Sequence, residues 1–488
     1  MGQITFLISL LIGAFLFGIS FRANAIPFAP WLGLAFLLHA TRGISPSRGL
    51  PVTAFVLYIA LAFVQRGILP VPDPLYYIMI AGITLVAVAP FVVDRFIATR
   101  NSGWITTLIF PLAWVTFDFA QTRLAPGGSW ESIAYSQYGN LPLMQLAAFT
   151  GTWGITFLIA WFASILNWVW AQKFLWSTIR VPALTFVGVC SLVLIAGGIR
   201  IVRAHKDGQS VRAAAVSFPA GIFQPGERTR IAEGRIDATD RAVIEEKLSR
   251  LHQSFLERTR VESRGGAKLV AWPETNLLVL QEDEPSFLEH ARKVAVEERI
   301  YLAMGLGTVR VGNAKPLENK IVMIDPAGQT IFSYEKSHPV PGWEESIMVT
   351  GDGRLPVVAT DLGRVGSAIC FDADFPEYLR QLGRARTDLM VLPVNDWAAI
   401  KYQHFAMTAF RAIENGIPIL RAASSGVSGA FDAWGRVVAL TDHFSGTEVM
   451  VAEIPIGSVT TLYSVIGDLF AWLCVAGLIA GSVVLMLA

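Results

Sequence analysis

Three short segments of the chain end in side chains that together could carry out acyl transfer. Leu269-Val270-Ala271-Trp272-Pro273-Glu274 is an apolar strand closed by a proline, with a carboxylate directly after it. Ser333-Tyr334-Glu335-Lys336 ends a strand in a lysine, ahead of the proline-rich loop His338–Pro341. Val365-Gly366-Ser367-Ala368-Ile369-Cys370 ends a buried strand in a thiol. A thiol with an ordinary pKa of ~8.5 is only slightly ionised at neutral pH. A neighbouring carboxylate can take its proton and later return it. A neighbouring ammonium can stabilise both the thiolate and the oxyanion of a tetrahedral intermediate. The product of such a first step is an acyl thioester. Each residue taken singly also has a plainer use: Cys370 as a small core hydrophobe, Glu274 as an acid near a helix start, Lys336 as a solvated edge-strand lysine.

Cys370 stands apart from the other two cysteines, Cys190 and Cys474, which fall inside hydrophobic runs. The polar part of the chain therefore holds one thiol and no internal disulfide, a pattern that suits a nucleophile. The chemistry requires no cofactor and no metal: the seven histidines are scattered, with no Cys–Cys or His-x-x-x-His spacing.

These strand ends need a scaffold, and residues 203–462 read as one. Val211–Phe218 is β-compatible. A helix over 228–262 places Ile244, Leu248, Leu251 and Phe255 on one face. Lys268–Trp272 reads as a short strand, and a helix follows near 284–298. Strands near 300–309, 319–325 and 329–335 come next, the last two joined at the turn Asp325-Pro326-Ala327-Gly328. Strands near 355–361, 364–370 and 387–394, with helices at 375–385 and 400–416, lead to four closing strands between 417 and 454. Strands outnumber helices and the two interleave, which favours two sheets with helices outside them, an α+β layered sandwich. Loops at strand ends are where such a scaffold holds reactive groups.

The rest of the chain is of another kind. Of 488 residues, 53% are apolar and 16% charged, and the mean hydropathy is +0.50, too little charge for a wholly water-soluble protein. The apolar excess fills 1–202 and 463–488. Seven candidate membrane helices precede residue 203, near 4–21, 26–40, 51–69, 75–93, 104–120, 150–172 and 181–200, and an eighth covers 464–487. The first ends in Ala23-Asn24-Ala25, like a signal-peptide cleavage site. Residues 1–10 carry no Lys or Arg, so a retained helix is expected. With the N-terminus cytoplasmic, the inner loops carry Arg42, Arg48, Arg95, Arg100, Lys173 and Arg180, and the outer loops Arg22, Arg66 and Arg123. That bias places 203–462 outside the cytoplasm, with Arg200, Arg203 and Lys206 on the disfavoured side. The net charge of +1 points to no nucleic-acid partner. The loop 121–149 holds Trp130 and Tyr135, either an interfacial aromatic belt or a lipid-touching lip of the site.

Trp272-Pro273-Glu274-Thr275, Tyr334-Glu335-Lys336 and Ala368-Ile369-Cys370-Phe371-Asp372 resemble the Glu, Lys and Cys motifs of the nitrilase superfamily. Over its whole length the chain is similar to the membrane-anchored branch, the apolipoprotein N-acyltransferases of bacterial cell envelopes. The resemblance extends to Trp130 with Tyr135-Ser136-Gln137, Asn395-Asp396-Trp397, Arg411–Gly416, Arg421–Val427 and Tyr463–Asp468. It implies a polytopic α-helical membrane domain (1–202, with a C-terminal helix in 463–488) joined to a nitrilase-like αββα sandwich over 203–462. It also implies roles: Glu274 as general base, Lys336 as oxyanion stabiliser and Cys370 as nucleophile, with Glu344, Asn319 and Asn395 supporting them. The implied reaction moves an acyl chain from a phospholipid to the cysteine, then to the α-amine of a diacylglyceryl-modified lipoprotein. The implied setting is the bacterial inner membrane, multi-pass and monomeric, with the catalytic part on the periplasmic face.

The chain departs from the family's usual pattern in places. Phe371-Asp372 replaces Tyr-Glu after the nucleophile, Phe218–Phe223 lacks the usual polar turn, and Gly342-Trp343-Glu344 replaces Phe-Gly-Glu. Because these changes cluster where substrates are expected, a related acyltransferase or amidase with another acceptor is the alternative. Ile222, Phe223, Val340 and Trp343 are expected to make apolar contacts over the 121–149 loop, because a membrane-tethered thiol avoids the cost of ~0.8 kcal/mol per lipid methylene extracted.

Overall fold

Each of the eight apolar runs becomes a helix, because in an apolar surrounding a helix satisfies its own backbone. The computed structural model describes residues 3–20, 26–100, 103–204, 209–218, 222–442 and 449–487. Ala23-Asn24-Ala25, Arg22, Lys206 and Pro219–Gly221 lie outside the described residues. The chain divides into two units: Met1–Ala204 with Ile466–Ala488, and His205–Val465. In the first, Pro46–Val64, Leu75–Phe96, Trp153–Ala171, Trp176–Val202 and Leu469–Leu487 are long and apolar enough to cross a membrane. Gln3–Ile19, Ala29–Gly43 and Ile109–Leu124 are shorter, at 17, 15 and 16 residues, below the ~20 of a full crossing.

The third helix begins at Pro46, not near 51, since a proline in the first turn loses no helical hydrogen bond. It ends at Val64, ahead of a turn in which Gly67 takes a φ of +83°. Charged residues in this unit work as fasteners. Arg42 grips Asp94 with two hydrogen bonds of 2.8 and 2.6 Å. Asp468 accepts from Arg123 at 2.5 Å and from the Trp153 indole at 2.9 Å, tying the C-terminal helix to Ile109–Leu124 and Trp153–Ala171. The 121–149 loop is folded rather than open, with a 3-10 turn at Ile133–Gln137. Trp130 and Tyr135 are both buried, and the Tyr135 hydroxyl bonds Ser129 at 2.6 Å. Neither ring forms an exposed lip, because the loop packs them instead of displaying them.

The second unit holds two six-stranded sheets. The first contains β1 (Ser210–Val216), β2 (Leu269–Leu280), β3 (Tyr301–Val309), β4 (Leu317–Ile324), β5 (Thr330–Glu335) and β12 (Val449–Pro455), in the order β12-β1-β2-β3-β4-β5. The second contains β6 (Val357–Thr360), β7 (Gly363–Ser367), β8 (Leu389–Asn395), β9 (Ile419–Ser424), β10 (Val427–Phe431) and β11 (Val437–Asp442), in the order β11-β10-β9-β8-β7-β6. β2 packs across the interface against β8 and β9. Helices Arg241–Arg264 and Glu284–Glu298 cover the first sheet, and Pro376–Arg384 and Lys401–Asn415 cover the second, which completes an αββα sandwich. β2, β3, β8 and β9 are almost wholly buried, as strands covered on both faces must be.

Two local expectations differ from the structure. The helix expected over 228–262 is two, Glu227–Ala232 and Arg241–Arg264, broken where Gly234 takes a φ of +68°. Ile244, Leu248, Leu251 and Phe255 still form the buried face of the longer one. The strand expected to stop at Pro273 runs on to Leu280. Proline, with no N–H to give, interrupts the ladder without ending the strand.

Candidate active site

That interruption builds the site. On β2, Trp272 pairs with Met304 and Leu277 with Leu306, so four residues, Pro273–Asn276, stand opposite Gly305 alone. The bulge is held from several sides. Arg228 donates to the Thr275 carbonyl. The Asn276 amide accepts from the Phe218 N–H at 3.0 Å and donates to its carbonyl at 3.2 Å. Thr275 takes a φ of +45°. Bulges of this kind re-aim a side chain, and here the one re-aimed is Glu274, buried between the sheets at 1% exposure.

Each oxygen of Glu274 is occupied. Oε1 accepts from Lys336 Nζ at 2.8 Å and from Asn319 Nδ2 at 2.6 Å. Oε2 accepts from the backbone N–H of Asn395 at 2.9 Å, across from the other sheet. The Asn395 side chain is turned away and accepts from the Ser424 hydroxyl at 2.9 Å. Lys336, the residue after β5, is fully buried, and its backbone N–H donates to the Asn319 carbonyl at 2.9 Å. Its ammonium also donates to Glu344 Oε2 at 2.7 Å, and that oxygen is fixed by the Val340 N–H at 2.9 Å. Burial alone would lower the Lys336 pKa, but Glu274 and Glu344 hold it well above the usual value. Glu344 is pushed up by burial, against the pull of Lys336.

Cys370 opens a 3-10 turn, Cys370–Asp374, just beyond β7. Its φ of +47° lies in the left-handed region, a conformation that costs an L-residue roughly 1–2 kcal/mol and recurs at functional positions. The thiol is 4% exposed. Burial pushes its pKa well up and Glu274 adds to this, while Lys336 draws it down. Glu274, Lys336 and Cys370, together with Asn319, Glu344 and the Asn395 backbone, therefore converge on one buried place.

Asp372 belongs to the same turn as Cys370. It is fully buried and fastens the cysteine turn to the lysine loop. Oδ1 accepts from the backbone N–H groups of Ser337 at 3.2 Å and His338 at 2.9 Å, and lies 2.9 Å from His338 Nδ1. Oδ2 accepts from the Tyr334 hydroxyl at 2.7 Å and from the Ile369 N–H at 3.1 Å. Phe371 packs edge-on against Phe375. Phe223 is also misplaced by the sequence expectation: it joins the core with Trp272 and Phe255, and Ile222 packs against that core. An apolar run at the end of a strand is drawn inward as readily as toward lipid. Val340 is half-buried, whereas Trp343 stays 42% exposed, its indole donating to Glu233 at 2.8 Å.

A second buried cluster was invisible in the sequence. His404 Nδ1 lies 2.7 Å from Asp396 Oδ1, and Nε2 lies 3.2 Å from Asp374 Oδ1. Arg421 donates to Asp396 Oδ2 at 2.7 Å. A sulfur of Cys370, a ring nitrogen of His404 and a carboxylate oxygen of Asp396 lie within 4.8 Å of one another. Those three could ligate a metal ion by type, but the Arg421 guanidinium already fills one side of Asp396, and its charge repels a cation. The only signal in the sequence was the polarity of Asn395-Asp396 and of Arg421 within otherwise apolar strands.

Comparison with known proteins finds relatives of both parts of the chain. A carbon-nitrogen hydrolase family model matches residues 233–463. A model of the apolipoprotein N-acyltransferase N-terminal domain matches 13–165. The chain is 29% identical to the apolipoprotein N-acyltransferase of Geobacter metallireducens, over 97% of this chain and 93% of that one. It is 24% identical to that of Shewanella oneidensis, over 97% and 95%. Among solved structures, an amidase from Nesterenkonia sp. aligns with a TM-score of 0.41 at 18% identity, covering 51% of this chain and 91% of the amidase.

Proposed function

Because the chain belongs to the apolipoprotein N-acyltransferase family, we propose that it transfers an acyl chain from a phospholipid to the α-amine of a diacylglyceryl-modified lipoprotein cysteine, by way of a thioester on Cys370. The observation that carries this reading is the buried contact between Lys336 and Glu274, at 2.8 Å, beside a cysteine held in the left-handed region.

In the first half-reaction Cys370 Sγ attacks the ester carbonyl of the phospholipid. Glu274 takes the thiol proton and returns it to the departing lysophospholipid hydroxyl. The Lys336 ammonium, held by Glu344, faces the negative charge that develops on the carbonyl oxygen. In the second half-reaction the α-amine attacks the thioester, Glu274 accepts the amine proton, and the Cys370 sulfur leaves as thiolate and is reprotonated. The sandwich excludes bulk water, so the thioester survives until the amine arrives.

The five apolar helices make this a multi-pass membrane protein. Counting the three shorter apolar helices as crossings too, we place it in the bacterial cytoplasmic membrane, with His205–Val465 on the periplasmic side, on the strength of the Lys and Arg bias of the short loops. Trp343, exposed beside Glu344, is where a lipid chain or the bilayer meets the catalytic unit.

The test is to incubate the purified full chain with acyl-labelled phospholipid and follow the label by mass spectrometry. Label should appear on the peptide bearing Cys370 and move to a synthetic diacylglyceryl-cysteine peptide. A stable thioester that such a peptide never discharges would exclude the lipoprotein acceptor. The absence of any adduct would exclude the lipid donor.

A further inference from the structure

The nucleophile sits between two buried charge clusters, and the mechanism uses only one of them. On the first side, Lys336 is the one cation paired with Glu274 and Glu344 among the described residues. Two carboxylates there share one ammonium before the sulfur ionises. On the second side stand Asp374 from the cysteine turn, Asp396 from the end of β8, His404 from helix Lys401–Asn415 and Arg421 from β9. All four are almost fully buried. With a neutral imidazole this cluster would carry a net negative charge, from two carboxylates against one guanidinium. With an imidazolium it is balanced.

The ion-pair geometry favours the imidazolium. Nδ1 is hydrogen-bonded to Asp396 at 2.7 Å, and Nε2 lies within ion-pair distance of Asp374, at 3.2 Å. A neutral ring donates from one nitrogen only and would leave the other lone pair against a carboxylate. The Arg421 guanidinium approaches the ring at 3.3 Å and works against a proton there. Burial works against it too, yet the two carboxylates win, and the His404 pKa is raised to about 9. The placement matters because a ring nitrogen of His404 and an oxygen of Asp396 are within 4.8 Å of the Cys370 sulfur. An uncompensated Asp396 at that distance opposes the thiolate, and it raises the thiol as things stand.

We propose that His404, kept as an imidazolium between Asp374 and Asp396, is a positioning residue that neutralises the charge behind Cys370 and so sets how readily its thiolate forms. The inference rests on Cys370 being the nucleophile, and not on which acceptor receives the acyl chain. Sequence spacing hid it, because the four residues come from a turn, the residue after one strand, a helix and another strand.

The experiment is the pH profile of Cys370 alkylation in the full chain in detergent micelles, using iodoacetamide and following the mass of the Cys370 peptide. Alkylation reads the thiolate directly, so failure of the lipoprotein reading leaves it intact. H404Q and H404N, both uncharged, should move the midpoint up by about one pH unit or more and slow alkylation near neutral pH roughly tenfold. H404K, which restores the charge, should bring the midpoint back toward wild type. Slowing by the same factor at every pH, with the midpoint unmoved, would mark a packing role and overturn the proposal. So would H404K shifting as far as H404Q. Should the neutral variants fail to fold, wild-type protein labelled with nitrogen-15 at its histidines decides. At about pH 8, above the ordinary histidine range, one ring of the seven should remain protonated. A spectrum in which all seven are neutral would overturn it.

Discussion

The carbonyl oxygen of Pro273 occupies the space where a Cβ on Gly305 would sit: the separation would be 2.3 Å. The four-residue bulge that aims Glu274 between the sheets therefore depends on a residue of the neighbouring strand that never touches the site. G305A must displace either β3 or the bulge. We expect it to cost about 1–3 kcal/mol of stability, as overpacking does, and to lower turnover about a hundredfold through misplacement of Glu274. Thermal melting and acyl-transfer assays check the two effects separately. Wild-type turnover in G305A would refute the dependence.

Removing the sulfur isolates its role. C370A should keep the fold, since the side chain is small and the surrounding hydrogen bonds come from its neighbours. It should abolish the acyl adduct and cut transfer by roughly 10⁴-fold or more, the scale seen when a covalent nucleophile is lost. An acyl thioester found on any other peptide of this variant would place the nucleophile elsewhere.

Lys336 holds two carboxylates at once. K336M leaves Glu274 and Glu344 facing each other without their cation. Breaking a buried pair in this way costs on the order of 3–5 kcal/mol. The melting temperature should fall sharply along with activity. The double variant K336M/E344Q should recover part of the stability and none of the activity, and a calorimetric comparison of the two would show whether the lysine's charge is what restrains the carboxylates.

Asp372 offers a different outcome. In D372N one of the accepting oxygens becomes an NH₂ that confronts either the Ser337 and His338 N–H groups of the Oδ1 side or the Tyr334 hydroxyl and Ile369 N–H of the Oδ2 side. Leaving buried donors unpaired costs about 1–3 kcal/mol. The expected signature is a loss of kcat with little change in KM for the phospholipid, because the residue aligns the cysteine turn with the lysine loop and does not contact lipid. A rise in KM alone would contradict that assignment.

His404 links stability to pH. Its folded pKa, about 9, is raised above the unfolded value of ~6.5. Its contribution is therefore complete below about pH 6.5 and is lost as the pH climbs through about 9, on the order of 3 kcal/mol in all. Thermal melting should decline over that window in the wild type, and the decline should flatten in H404Q.

Much of this arrangement could be read from the chain alone. The long apolar runs predicted helices because any segment that is apolar all round must leave water. The turn Asp325–Gly328 predicted the β4–β5 hairpin, and Asp325 does accept from Ala327 and Gln329 while Gly328 takes a positive φ. Glu274, Lys336 and Cys370 were legible as reactive types at strand ends. Periodicity reports which way a residue faces within its own element, and no more. It could not tell that Pro273 begins a bulge, because the partner that admits the bulge is Gly305 on another strand. Nor could it tell that Phe223 turns inward, that Asp372 is a clasp, or that Asp374, Asp396, His404 and Arg421 meet. Those facts are set by strand order and by the packing of β2 against β8 and β9, which bring side chains remote in sequence within a hydrogen bond of each other. Local chemistry named the participants, and only long-range pairing decided their neighbours, since a charge is shifted by whatever lies a few ångströms away regardless of chain distance.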